Sequence, residues 1–194
     1  EGLIDLYEAG ADESYLHAAA RLGELLITDF MDPEQGGFFT TAVQHESLIL
    51  RHRDGTDGAV PSPNAVAASA LARLSFHFDR DEWRRASISV IRAYGRQITR
   101  YPRAFAKSLA VLDFLTEGPV ELAIVPGKSV DELRALRTAV AQCYLPNRVV
   151  ATGLPEQPST LPLLKDRSTV SGTATLYICR NYSCRQPITD PRFV

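Results

Sequence analysis

The sequence predicts a mainly α-helical fold, a double ring of antiparallel helical hairpins followed by a small C-terminal α/β appendage. Three observations carry that expectation. Helices that are apolar nearly all round alternate with amphipathic ones between Glu1 and Leu115. A long excursion, Met31 to Pro61, runs from an amphipathic helix to an apolar one, whereas the other connections take only a few residues. After Glu117-Gly118-Pro119 the composition turns to short apolar strands around one helix. The expected domains are residues 1–117, an incomplete ring segment, and 118–194, a βαβ-type appendage.

Glu1 to Ala9, with Leu3, Ile4, Leu6 and Tyr7, is apolar over much of its circumference and stops at Gly10, a C-terminal glycine. Asp12 can cap a second helix in which Tyr15, Leu16, Ala19, Leu22, Leu26 and Phe30 recur every three or four residues, with charges between them. Ala65 to Leu74 is again small and apolar nearly all round, Arg73 being its single charge. Asp81 to Ile98 is amphipathic: Trp83, Ala86, Val90, Ile91, Tyr94 and Ile98 form one stripe, and its arginines read as a solvated face. Ala104 to Leu115 is apolar once more. A ring of hairpins shelters its inner helices and wets its outer ones, so this order is the one it requires. Three inner helices are visible. Within the excursion, Gly36 to Thr41 and Ser47 to Arg51 have strand-like composition and are expected to pair as a hairpin at the rim.

In the appendage, Val120 to Val125 is a short apolar strand, and Ser129 or Asp131 can cap a helix with Val130, Leu133, Leu136, Val140 and Cys143 on one side. Arg148 to Thr152 is a second strand, expected to run parallel to the first across that helix. Gly153 to Gly172 reads as an exposed loop and Thr173 to Cys179 as a third strand.

Bulk properties narrow the function classes. At 194 residues, 45% hydrophobic and 23% charged, the chain has a globular composition. A net charge of -2 and a pI near 6.1 give no footprint for a polyanion, so no nucleic-acid partner is expected. No apolar run approaches the roughly 18 residues of a membrane span, and no membrane partner is expected. Three cysteines fit a reducing, cytoplasmic setting. The chain opens without Met on residues that already look helical, as expected of a piece of a longer protein.

The expected site is Arg53 to Asn64, where two carboxylates, two hydroxyls, an amide, two glycines and two prolines gather at a loop-to-helix junction. Ser62 before Pro63 fits an N-cap with proline at the first helical position, or a substrate contact. Asn64 can reach a hydroxyl-rich ligand or tie down the loop. Asp54 and Asp57 can be an acid/base pair flanking a glycosidic bond; each also precedes glycine, the ordinary chemistry of turns. Arg51 and Arg53 fit either an anionic group of a substrate or neutralisation of these aspartates. Phe38 and Phe39 fit a sugar-stacking wall or a packed rim. His17, His45, His52 and His77 have no ligand spacing, and no metal or cofactor is expected. Cys179 and Cys184 can be structural thiols, a redox-sensitive pair or half a metal site, and Cys143 reads as core.

Gly36-Gly37-Phe38-Phe39-Thr40, Arg51 to Asp54, Asp57 to Asn64, Tyr144-Leu145-Pro146-Asn147 and Tyr177 to Pro187 resemble, in this order, the C-terminal part of the spermatogenesis-associated protein 20 family. The resemblance spans nearly the whole chain. It implies an (α/α)6 toroid like that of six-hairpin glycosidases and N-acylglucosamine 2-epimerases, with a thioredoxin-like domain upstream. Three inner helices make about half of such a ring, so the implied partner is the missing N-terminal part of the same protein: the thioredoxin-like domain and the rest of the toroid. This chain has no Cys-x-x-Cys, and a redox role of that domain does not carry over to it. The inner helices also lack the histidines with which the epimerases do acid/base work. Two functions follow. One is a carbohydrate-active toroid, hydrolase or isomerase, with Asp54 and Asp57 catalytic and Arg51, Arg53, Ser62, Asn64 and Phe39 binding a small carbohydrate-like ligand. The other is a non-catalytic binding or structural module supporting the thioredoxin-like domain.

Overall fold

A computed structural model describes residues 1–45, 49–181 and 183–194. It is mainly α, with seven α-helices and one small four-stranded sheet among the described residues. The chain divides into two compact units, one formed by Glu1–Ile4 with Ser14–Glu117 and the other by Asp5–Glu13 with Gly118–Val194.

The first unit holds α2 (Glu13–Leu25), α3 (Pro63–Phe78), α4 (Asp81–Ala93), α5 (Gly95–Arg100) and α6 (Ala106–Glu117). The helix α3 is its axis. It buries Ala65, Ala67, Ala68, Leu71, Ala72, Leu74, Ser75 and His77, residues that cover most of its circumference, and it packs against α4 and α6. Small residues permit this close packing on several sides. Asp79 ends the helix in the left-handed region, φ 52°, with Ser75 O accepting its N–H. The amphipathic α4 turns Trp83, Ala86, Ser87 and Val90 inward, and the Ser87 hydroxyl donates to Ala68 O at 2.7 Å. Gly23 lets α2 approach, since a Cβ there would lie 3.2 Å from Leu74 Cδ1. The Glu1 carboxylate accepts from the Ser69 hydroxyl and from Lys107 Nζ, the latter at 2.7 Å, joining the chain start to α3 and α6.

Two helices differ from expectation. The second ends as a π-turn, Leu26–Phe30, and Leu22 is exposed, lining an apolar groove of about 370 Å³ with Leu26, Val66 and Ala70. The helix expected over Asp81 to Ile98 is interrupted at Tyr94, whose φ of -106° and ψ of 8° leave the α region just before Gly95. The rim hairpin is not formed by the described residues. Phe38 bridges Met31 instead, Thr40 N–H donates to His52 O at 2.9 Å, and Ile49, Leu50 and Arg51 form no strand. Ser47 and Leu48 lie outside the described residues.

The second unit contains the end of α1 (Gly2–Gly10), β1 (Val120–Val125), α7 (Val130–Gln142), β2 (Arg148–Thr152), β3 (Thr175–Arg180) and β4 (Ser183–Cys184). Strand order is β2-β1-β3-β4. The pair β1–β2 is parallel, from Val120↔Arg148 to Ile124↔Thr152, and the other pairs are antiparallel. Ser129 caps α7 through Glu132 N–H, and Leu133, Leu136 and Val140 pack with Leu122, Ile124, Val150, Ala174 and Leu176. An open edge on β2 invites wrong pairing. Here Glu8 Oε1 accepts Val150 N–H at 3.4 Å and Tyr7 Oη accepts Thr152 N–H at 3.1 Å. Burial, with the charges of Glu13 and Glu8 behind it, pushes the Tyr7 phenol well above its usual range, against the Thr152 N–H. Its hydroxyl is held neutral. Two expectations change: Leu161 and Leu163, in the loop read as exposed, are buried, and Cys143 follows α7 in extended backbone and is half-buried rather than core.

A Cβ at Gly127 would lie 2.4 Å from Ala174 N and 2.7 Å from Thr173 C, both backbone, so the β1–α7 turn must move to admit it. Gly127→Ala is predicted to cost about 1–3 kcal/mol in urea unfolding, the usual range for overpacking. Gly58→Ala, whose Cβ meets nothing within 4 Å, is predicted to change stability by no more than about 0.5 kcal/mol.

Candidate functional site

Asn64, Asp57 and Asp32 fix the Met31–Pro61 excursion, each bonding two or more backbone groups. Asn64, in the first turn of α3, is buried. Its Oδ1 accepts Phe38 N–H at 2.7 Å, and its Nδ2 donates to Phe38 O and Asp54 O, both at 2.9 Å. Both amide hydrogens are thereby used. Asp57 Oδ1 accepts Ser62 N–H and Oδ2 accepts Lys107 N–H, each at 2.8 Å, so one carboxylate joins the loop to the starts of α3 and α6. Asp32 Oδ1 accepts Glu34 N–H and Gln35 N–H at 2.9 and 3.0 Å, while Oδ2 pairs with Arg53 Nη1 at 2.9 Å. Burial works against the Asp32 charge. The two N–H groups and the Arg53 and Arg51 charges outweigh it and hold the carboxyl below its ordinary value.

Close approach fixes the glycines. Gly36 and Gly37 have φ of 75° and 78°, and a Cβ at Gly36 would lie 2.8 Å from Ser89 O. At Gly55 a Cβ would meet the Tyr94 ring at 2.6 Å. Loop and ring are in contact with no room for a side chain.

Each expected site residue now has a position. Ser62 is the N-cap of α3, its Oγ accepting Ala65 N–H at 3.1 Å. Asp54 Oδ1 accepts Thr56 N–H at 2.8 Å, folding back on its own turn. Backbone donors engage both oxygens of Asp57, the expected acid/base partner, and one oxygen of Asp54. The neutralisation expected of the arginines is corrected. Arg53 serves Asp32, Gly36 O at 2.6 Å and Gln35, while Arg51 donates to Thr41 O at 2.5 Å and lies 4.1 Å over the Phe39 ring. Arg51 covers one face of the half-buried Phe39, leaving less of it for a sugar. Cys179 and Cys184 form a disulfide, which replaces the free-thiol reading.

Two participants escaped the sequence reading. Asp32 was legible in Asp32-Pro33-Glu34-Gln35-Gly36-Gly37, a turn signature with the aspartate at its head. Tyr94 was read as one member of an apolar stripe that continues to Ile98. Its Oη is buried without a hydrogen-bond partner among the described residues, as are Thr41 Oγ1 and Arg51 Nε of the same loop cluster. Burial raises the Tyr94 phenol; Arg53 opposes this, and the charges of Asp54 and Asp32 add to it. Buried polar atoms of this kind call for a partner. No group of three or more potential metal ligands occurs among the described residues, and no helix there is long and apolar enough to cross a membrane.

No protein-family model matches the chain. It is similar to spermatogenesis-associated protein 20 of mouse, at 33% identity over 195 aligned residues, and to the human and rat proteins at 32% and 33%. Each alignment covers 98% of this chain and 25% of the relative, so the chain spans about a quarter of the length of the curated relatives it matches. The family resemblance carried by the motifs is borne out.

Asn64→Ala would strand Phe38 N–H and the carbonyls of Phe38 and Asp54. It is predicted to lower unfolding free energy by about 2–4 kcal/mol, at about 1–3 kcal/mol for each group left unsatisfied. Asn64→Asp sets a charged oxygen against those carbonyls and should cost more at neutral pH, and less once protonated. A carboxyl depressed in the folded state lends stability that is complete above its unfolded value, about 3.9, and is lost as pH falls through the folded value. Urea unfolding between about pH 6 and pH 2 should accordingly show a shallower acid loss for Asp32→Asn than for the parent.

Proposed function

We propose that this relative of spermatogenesis-associated protein 20 is part of a six-hairpin (α/α)6 toroid whose loop cluster binds a hydroxyl-rich, carbohydrate-like ligand without acid/base catalysis by Asp54 and Asp57. The observation that carries the non-catalytic half is the state of the Asp57 carboxylate, whose two oxygens each accept a backbone N–H at 2.8 Å. A general acid or base must be free to exchange a proton with the reacting group, and withdrawing Asp57 would unfasten the loop from α3 and α6. Those two bonds support a structural duty for Asp57.

The binding half rests on unpaired polarity. Tyr94 Oη, Thr41 Oγ1 and Arg51 Nε supply hydroxyl and guanidinium groups of the kind that sugars pair with, and the Arg51 guanidinium lies beside the Phe39 ring. The alternation of sheltered and wet helices supports the toroid, and the three quarters of its relatives that this chain does not span leave length for the remaining wall and an upstream thioredoxin-like domain. A cytoplasmic setting belongs to the same proposal.

Thermal unfolding with N-acetylglucosamine, glucose and maltose, read beside release of reducing ends from maltose, tests this. The expected result is an upward shift with at least one sugar, abolished in Tyr94→Phe, kept in Arg85→Ala, and no reducing-end release. Turnover lost in Asp57→Asn would contradict the non-catalytic reading. Unchanged melting with every sugar would remove the ligand and leave a supporting module.

A further inference from the structure

The disulfide between Cys179 and Cys184 lies in the second unit, apart from the proposed ligand cluster in the sequence and in its chemistry. It joins directly paired residues of the antiparallel strands β3 and β4. The two sulfurs are not equivalent. Cys179 is buried, at 3% exposure, whereas Cys184 is exposed on the two-residue edge strand β4. Arg167 Nη2 lies 3.3 Å from Cys179 Sγ and 3.9 Å from Cys184 Sγ. That guanidinium is held in place, since its Nη1 donates to Leu163 O and its carbon sits 5.7 Å over the Tyr177 ring. Tyr177 is anchored in turn by its hydroxyl, which donates to Ser168 O at 2.7 Å.

We propose that this pair is a site of thiol–disulfide exchange with small external thiols, in which the incoming thiolate attacks Cys184 Sγ and Cys179 departs as a thiolate held by Arg167. Exchange requires the attacking sulfur to reach one sulfur of the bond, and it is faster when the departing thiolate is stabilised. Exposure selects Cys184 for attack. The nearer guanidinium contact selects Cys179 to leave.

In the first step an external thiolate forms an S–S bond to Cys184, and the electron pair of the old bond passes to Cys179 Sγ. A second external thiolate then attacks the external sulfur of the mixed disulfide and releases the Cys184 thiolate. Two external thiols are oxidised to one disulfide with loss of two protons, and the protein disulfide is reduced to two thiolates, so electrons balance. The reverse sequence re-forms the protein disulfide from the external one. The substrate class is thus a low-molecular-weight thiol and its disulfide.

The test treats the oxidised full chain with reduced glutathione, blocks free thiols by alkylation at intervals, and locates the adduct by peptide mass spectrometry. The expected result is glutathione on Cys184 with the alkyl group on Cys179, and adduct formation slowed about three- to tenfold in Arg167→Gln, partly restored in Arg167→Lys. Arg134→Gln, which removes an exposed arginine paired with Asp131, should react at the parental rate. Far-UV circular dichroism checks that the variants fold, and the adduct position in the unmutated chain decides the matter even where a variant does not. Glutathione on Cys179, equal division between the two sulfurs, no adduct, or an Arg167→Gln rate equal to the parent's would overturn the proposal.

Discussion

The side-chain amide of Asn64 is the contact on which the loop architecture depends. A buried amide must satisfy two donors and at least one acceptor, and here all three are met by the backbone of a distant segment, at Phe38 and Asp54. The long excursion thereby becomes an extension of α3. Asp57 repeats the device between α3 and α6, and Asp32 repeats it inside the excursion, with Arg53 balancing the charge. Loops of this length carry no ladder of their own to satisfy their backbone groups. Side chains that imitate a ladder do it instead.

The same economy of polar groups orders the second unit. An edge strand with free N–H groups invites association, and β2 has its outward N–H groups taken by Glu8 and Tyr7. That explains why Asp5–Glu13 belongs with the sheet although more than a hundred residues separate the two in sequence. The core beneath is an ordinary one, a helix laid across a mixed sheet, with Leu136, Leu122, Ile124 and Leu176 almost wholly enclosed.

Much of this was readable from residue order, for identifiable reasons. The apolar circumference of Ala65 to Leu74, the proline after Ser62, and the strand–helix–strand alternation of 120–152 are local signals, and α3, its cap and the parallel pair follow them. What escaped was non-local. No pattern announces that Gly55 lies against Tyr94 or that Asn64 reaches back to Phe38. Asp54-Gly55 and Asp57-Gly58 illustrate the difficulty: turn chemistry and acid/base chemistry demand the same residues, and only the partners of the carboxylate oxygens distinguish them.

Function in this chain is thus limited by what its polar groups are already doing. Asp57 fastens the loop to α3 and α6 and Asp54 braces its own turn, while Tyr94 Oη, Thr41 Oγ1 and Arg51 Nε are buried without a hydrogen-bond partner among the described residues. The most direct test of that division is native-state hydrogen exchange at three amides, Phe38, Ser62 and Lys107, the donors to Asn64 and Asp57. Protection close to that of the α3 interior is the result expected if these side chains fasten the loop. Exchange at the rate of an open loop would contradict it and free Asp57 for chemistry.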